Sequence, residues 1–236
     1  MEHVVTENKV YFVSAVIVCA GNSSRMGGVN KQFLNIKGVP VVARSISAYQ
    51  KSSLIDEIII VTREEDKAEI LNIVNKHALT KVKKLVCGGA TRQQSVLNGV
   101  SACSDCTDFV AIHDGARPLV DANTIERTVK EAFSVGAAAA GVKVKDTVKT
   151  VDENGIILNT PDRSFLRFVQ TPQVFSRRLY LDAVKSAEKG VEYTDDCMLI
   201  EAYGHSVKIV DGSYKNIKIT TPEDIITAEG FLAEEE

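Results

Sequence analysis

The chain has 236 residues, 44% hydrophobic and 25% charged, the balance of a soluble globular domain able to bury a sizeable core. Lysine and arginine number 28 against 31 acids, a net charge of -3, which excludes the general basic surface that wraps nucleic acid and makes any anion site local. No apolar run approaches the ~18 residues of a membrane span, and residues 1–10 lack a basic targeting segment, so a cytoplasmic protein without a membrane anchor is expected.

In chain order, residues 15–31 read A-V-I-V-C-A-G-N-S-S-R-M-G-G-V-N-K. Val16, Ile17, Val18 and Cys19 form an apolar run without alternation, as in a strand buried on both faces of a parallel sheet. Beyond it Gly21, Gly27 and Gly28 let backbone N–H groups turn toward an anion, and Arg25 and Lys31 add fixed positive charge. The spacing fits neither the phosphate loop of kinases nor the dinucleotide fingerprint. Residues 33–37 predict a short strand turned at Gly38, and Pro40 opens a helix through Val41, Val42, Ile46 and Tyr49. The unit then repeats as strand 58–61, helix 64–77 with Ile70, Ile73 and Val74 inward, strand 82–87, helix 92–103, strand 109–113, helix 121–135 capped by Asp121 or Asn123, and strand 137–144. Such alternation predicts an α/β fold built on a Rossmann-like, mostly parallel open sheet with right-handed crossovers.

The alternation breaks at residues 145–167, where a period of two runs either side of Asn154-Gly155 and predicts a hairpin arm projecting from a single domain of residues 1–236. The arm carries Lys145, Lys149, Arg163 and Arg167 but few residues able to bury a face of its own, so a second copy of the protein is expected to cover it. Helices over 179–189 and 195–203, a strand over 207–210 and a helix over 222–232 complete the chain. Cys19, Cys87, Cys103, Cys106 and Cys197 share no regular spacing and read as reduced thiols; the lone C-x-x-C at Cys103 and Cys106 reads as a helix end.

In open α/β sheets ligands sit at the carboxyl ends of the strands, which brings three loops to one crevice: G-N-S-S-R-M-G-G with Lys31, G-G-A-T-R-Q-Q-S, and H-D-G-A-R-P. Gly88 and Gly89 allow close backbone approach, and Ser95 is placed to hydrogen-bond a base or ribose or simply to cap a tight turn. Asp114 suits Mg²⁺ beside phosphate oxygens and Arg117 a second phosphate, unless the two only pair with each other. His113 reads as a strand-end hydrogen-bonding residue, and no Ser-His-Asp or Cys-His arrangement is present in the sequence pattern.

These three loops, with K-D-T-V-K, Q-T-P-Q-V-F, T-D-D and N-I-K-I-T-T-P-E-D, resemble the 2-C-methyl-D-erythritol 4-phosphate cytidylyltransferase family of the non-mevalonate isoprenoid pathway, over residues 15–232. The resemblance implies the nucleotide-diphosphosugar transferase type of sheet, cytidylyl transfer from CTP to methylerythritol phosphate with release of pyrophosphate, a Mg²⁺ cofactor and a homodimer that exchanges arms. It implies Arg25, Lys31 and Lys218 around the CTP phosphates, and Ala20, Gly21, Gly89, Ser95 and Asp114 as the nucleotide site. Asp114, Arg117, Thr171 and Thr194 would line the acceptor's crevice, with Asp114 beside the metal. Thr147 and Arg163 on the arm would reach the acceptor in the partner's site. Ser23 stands where glycine is common in the family, Gly115 where alanine is frequent, a change expected to be harmless, and Cys197 and Met198 follow T-D-D where small residues are usual.

The chemistry needs no activated side chain, since the attacking phosphate oxygen is already ionised; the protein must neutralise and align. Two rivals remain, a ribitol 5-phosphate cytidylyltransferase and a non-catalytic nucleotide-binding regulatory protein. D-T-V-K and P-D-R-S-F-L favour the methylerythritol acceptor over the first, and Arg25, Lys31, Asp114 and Lys218 speak against the second.

Overall fold

The computed structural model describes residues 11–21, 30–188 and 190–234. In chain order it forms β1 (Val13–Val18), a 3-10 turn (Lys31–Phe33), β2 (Asn35–Ile36), β3 (Val39–Pro40), α1 (Val41–Lys51), β4 (Glu57–Thr62), α2 (Lys67–Lys76), β5 (Val82–Cys87), α3 (Arg92–Ala102) and β6 (Phe109–Asp114). There follow α4 (Ala122–Val135), β7 (Ala137–Lys143), β8 (Thr150–Val151), β9 (Ile157–Asn159), β10 (Arg167–Ser176), α5 (Arg177–Ser186), α6 (Asp196–Ala202), β11 (Lys208–Asp211) and α7 (Pro222–Ala233).

Seven strands form one sheet in the order β11-β7-β10-β6-β1-β4-β5. All neighbours run parallel except β10, which is antiparallel to both β6 and β7. The unalternating apolar runs have a direct cause: successive residues feed opposite faces, and both faces are covered. On β1, Ala15 and Ile17 enter the core beneath α1, α2 and α4, while Val16 enters the core beneath α3, α5 and α6; Ile58 and Ile60 divide from Ile59 and Val61 in the same way on β4. Each such side chain removed from water contributes about 1.5–3 kcal/mol before conformational entropy is set against it.

Four details differ from sequence expectation. Residues 33–37 do not form one strand; Lys31–Phe33 is a 3-10 turn, and β2 pairs only with β3. The helix expected from residue 64 begins at Lys67, because Glu64–Asp66 winds as a 3-10 turn with the Asp66 carboxylate gripped by Arg63. β10 went unread because Q-T-P-Q carries a proline that cannot donate to a ladder; that proline falls where the pairing with β7 shifts register between Val169 and Gln173. In the arm the bend is wider than a two-residue turn: Asp152 Oδ1 accepts from Asn154 and Ile156 N–H, and Val151 pairs with Ile157.

A third, smaller core lies under α7, where Ile36, Val41, Ile219 and Ala228 are fully buried. A Thr221–Asp224 capping box and Pro222 in the first turn start that helix. On the other side of the sheet, Gly99 lets α3 lie directly on the strands: a Cβ there would fall 2.4 Å from Val16 Cγ1 and 2.7 Å from Val61 Cγ2. Gly99→Ala should therefore destabilise the fold by about 1–3 kcal/mol through overpacking, read as a lower urea midpoint; an unchanged or raised midpoint would refute the close packing.

Candidate active site

The loops that leave β1, β5 and β6 meet in a cavity of about 300 Å³. Ala20 and Gly21 line it after β1, Lys31 and Gln32 from the 3-10 turn, Gly89 after β5, Arg92 and Ser95 from the first turn of α3, Asp114 at the end of β6, and Lys218 ahead of α7. Arg25, expected beside Lys31, lies outside the described residues. A larger cavity of about 710 Å³ opens beside α1 and α7. Two of its polar groups serve the fold: Arg44 donates Nε and Nη2 to the Ile36 carbonyl, and Asp121 caps α4.

Each wall is fixed locally. Asn30 accepts from Gln32 N–H at 3.1 Å and donates to Asp66 Oδ2 at 2.9 Å, which ties the turn bearing Lys31 to the loop after β4. Ser95 Oγ accepts from Gly89 N–H at 3.0 Å and donates to the Thr91 carbonyl at 2.9 Å, setting the glycine loop against the first turn of α3. Lys218 stands between Ile217 and Ile219, which pack on the small core under α7, and Ile219 N–H donates to the Ala116 carbonyl at 2.8 Å. With its neighbours turned into that core, the lysine reaches the crevice.

Asp114 is the centre of this arrangement, with 8% of its surface exposed. Lys218 Nζ lies 2.8 Å from Oδ2, Arg117 Nε 3.6 Å from the same oxygen, and Arg92 Nη2 3.7 Å from Oδ1. Burial by itself would raise the carboxyl pKa, but Lys218, Arg92 and Arg117 outweigh it and hold the group well below the usual carboxylate range. Behind it runs a buried chain of hydrogen bonds. Asp114 N–H donates to Thr171 Oγ1 at 3.1 Å, that hydroxyl donates to His113 Nδ1 at 2.9 Å, and His113 Nε2 donates to the Arg117 carbonyl at 3.2 Å. Asn216 joins β10 to the last loop, donating to the Thr171 carbonyl at 2.9 Å while Arg117 Nη1 donates to its own carbonyl at 2.8 Å. Burial lowers the His113 pKa to about 4, so the ring is neutral and structural.

Seven of the expected site residues therefore line one cavity: Ala20, Gly21, Lys31, Gly89, Ser95, Asp114 and Lys218. Arg117 and Thr171 lie behind Asp114 with their side chains committed to the scaffold. Thr194 is exposed ahead of α6, its hydroxyl 3.8 Å from Met198 Sδ. Thr147 and Arg163 are exposed on the arm, where Arg163 donates to the Lys145 carbonyl. Arg92, Gln32 and Asn216 were missed, although each sits inside a motif that sequence already picks out. At Gly115, where the family often has alanine, a Cβ would lie 2.3 Å from Cys19 Sγ, so in this chain the cysteine fills the space beside the glycine.

Among the described residues no group of three histidine, cysteine or acidic side chains could hold a metal, and no helix is long and apolar enough to cross a membrane. A family model for 2-C-methyl-D-erythritol 4-phosphate cytidylyltransferase matches residues 13–234. A 2-C-methyl-D-erythritol 4-phosphate cytidylyltransferase of Caldanaerobacter subterraneus is 50% identical over 223 residues, 93% of this chain and 98% of its own, and one of Clostridium acetobutylicum is 48% identical over 221 residues, 92% of this chain and 96% of its own. The crystal structure of 4-diphosphocytidyl-2C-methyl-D-erythritol synthase from Anaerococcus prevotii superposes with a TM-score of 0.86 at 33% identity, covering 94% of this chain and 96% of that one.

His113 gives the site a measurable acid response. Its folded pKa of about 4 lies below the ordinary 6.5, so the penalty for charging the buried ring is absent above pH 6.5 and grows as pH falls toward 4, to roughly 3 kcal/mol. Urea midpoints compared at pH 7 and pH 4.5 should fall less for His113→Gln than for the wild type; equal falls would show that the histidine does not carry this response.

Proposed function

Because the chain belongs to the 2-C-methyl-D-erythritol 4-phosphate cytidylyltransferase family, and so transfers a cytidylyl group from CTP to methylerythritol phosphate in isoprenoid precursor biosynthesis, we propose that the crevice around Asp114 is where the two phosphates meet. The observation that carries this reading is the convergence of Lys31 and Lys218 on one cavity in which, among the described residues, Asp114 is the only carboxylate wall. In the reaction a phosphate oxygen of the acceptor attacks the α-phosphorus of CTP. A new phosphorus–oxygen bond forms, the bond to the bridging oxygen of the β-phosphate breaks, and pyrophosphate leaves with that electron pair. No proton has to be abstracted, which agrees with a neutral, buried His113. Lys31 and Lys218 offset the charge that accumulates as two anions approach, and Arg25 belongs to the same group. Loss of one such donor lowers turnover by roughly 10² to 10³.

Ala20, Gly21, Gly89 and Ser95 form the nucleotide side of the cavity. Thr194 faces the acceptor, while Arg117 and Thr171 serve it by holding Asp114. A divalent cation, Mg²⁺ by the chemistry of the donors, fits Asp114 only together with the nucleotide: one carboxylate supplies one protein ligand, and Mg²⁺ sites are commonly completed by phosphate oxygens and water. When bound, it would draw charge from the leaving diphosphate.

The arm is assigned to a homodimer. Ile156, Ile157, Leu158 and Phe165 expose 63%, 58%, 64% and 85% of their surfaces there, an apolar face that a second copy would cover. At the base of the arm, Lys145 Nζ lies over the Tyr214 ring at 3.7 Å, and Tyr214 donates to the Lys143 carbonyl, linking the arm to the loop that carries Lys218. Exchanged arms bring Thr147 and Arg163 to the partner's acceptor.

Purified protein with CTP and Mg²⁺ should release pyrophosphate with methylerythritol phosphate far faster than with ribitol 5-phosphate; equal or reversed preference would overturn the acceptor assignment. Mixing Arg163→Ala with Lys31→Ala subunits should restore about a quarter of wild-type activity, because random exchange gives half hybrid dimers with one intact site each. Absence of recovery despite demonstrated subunit exchange would remove the arm from the site.

A further inference from the structure

Arg92 enters the crevice beside Gly89 and Ser95 and approaches Asp114 from the oxygen that Lys218 does not touch. Its guanidinium is divided unequally between two acids. Nη1 lies 2.7 Å from Asp196 Oδ2, a full charged hydrogen bond, whereas Nη2 stops 3.7 Å from Asp114 Oδ1, beyond hydrogen-bonding length. A cation needed only to neutralise Asp114 would close on it as Lys218 does.

The restraint comes from Asp196. That residue is 2% exposed and held at both ends, with Oδ1 accepting from the Tyr180 hydroxyl at 3.1 Å and its N–H donating to Gln173 Oε1 at 3.1 Å. Gln173 in turn donates to Asp195 Oδ2 at 3.0 Å, so the start of α6 is stitched to β10 and cannot follow the arginine toward the crevice. The contrast with Arg117 is instructive. Among the described residues both arginines hydrogen-bond through Nη1, Arg117 to the Asn216 carbonyl and Arg92 to Asp196, but Arg117 has only 13% of its side chain exposed whereas Arg92, lining the crevice, keeps 30% exposed. Burial would lower the Arg92 pKa, but Asp196 and then Asp114 outweigh it, so the guanidinium stays charged. A planar fork fixed at one corner presents its other N–H groups at a set angle, the geometry that suits phosphate oxygens.

We infer that Arg92 takes a phosphate oxygen at the reaction centre, and that Asp196 is the positioning residue that keeps its guanidinium from collapsing onto Asp114. The inference rests on reading the crevice as the site of cytidylyl transfer. The phosphate belongs either to CTP or to the acceptor, and the two are separable by experiment.

The test compares Arg92→Lys, Asp196→Asn and the double variant in CTP binding by calorimetry, in KM for methylerythritol phosphate, in kcat and in urea midpoint. Arg92→Lys keeps the charge but loses the fork, and should lower kcat/KM by roughly 10- to 100-fold with an unchanged urea midpoint. A weakened CTP affinity assigns the contact to the nucleotide, a raised acceptor KM assigns it to the acceptor, and a fall in kcat alone assigns it to the transition state. Asp196→Asn should show the same pattern, and the double variant should be no worse than the more impaired single one, since both remove one feature. Arg92→Lys with wild-type binding and rates would overturn the inference, and so would a lowered urea midpoint that accounts for the whole loss. If Asp196→Asn does not fold, Arg92→Lys decides the matter alone. Because the wild type is assayed beside the variants, a wild type that releases no pyrophosphate from CTP and methylerythritol phosphate would instead indict the reading of the crevice.

Discussion

A carboxylate buried at the end of a central strand stays ionised only if cations or hydrogen-bond donors offset its desolvation, and Asp114 makes the rest of the chain supply cations. Lys218, Arg117 and Arg92 answer it from three separate segments. Desolvating a lone acid costs several kcal/mol, so the fold that buries Asp114 must also bring these segments together. The second tier follows from the first. Thr171, His113 and Asn216 occupy the space behind the strand end, each linked to the next by hydrogen bonds, and they leave β6, β10 and the last loop little freedom to shift against one another. The crevice is in this sense the visible side of a buried polar network, in which a partly satisfied member would cost more than an apolar core.

Much of this is written in the sequence because the sheet is covered on both faces. Residues such as Val16, Ile59 and Val110 have to be apolar, as do their neighbours, and the resulting runs are legible without any structure. Loops at strand ends are legible for the opposite reason: Gly89, Asp114 and Lys31 are small or charged where a core would forbid it. What stayed hidden depends on distant partners. Nothing in Q-T-P-Q announces an antiparallel strand, since its hydrogen bonds go to β6 and β7 and its proline sits at a change of register. Arg92 looks like an ordinary first-turn residue until Asp196, more than a hundred positions away, is set 2.7 Å from it. Asn216 reads as loop because its buried amide acts through distant partners, the Thr171 carbonyl and Gln170 Oε1.

The two sides of the sheet carry different duties. At the amino ends of the strands, Glu57 is buried too, yet Ser14, Ser104 and Thr107 supply it with hydrogen bonds from neutral groups, and the acid closes the fold without facing a cavity. At the carboxyl ends the acid is met by charged side chains instead. The same residue type is thus a strut at one end and a charge centre at the other, the distinction being set wholly by what surrounds it.

The lysine nearest Asp114 stands just ahead of α7, supported by a small core that exists only once α7 has docked against Ile36 and Val41. Loss of α7 and its approach would therefore leave a protein with both main cores, alike in shape yet electrically incomplete at its central acid.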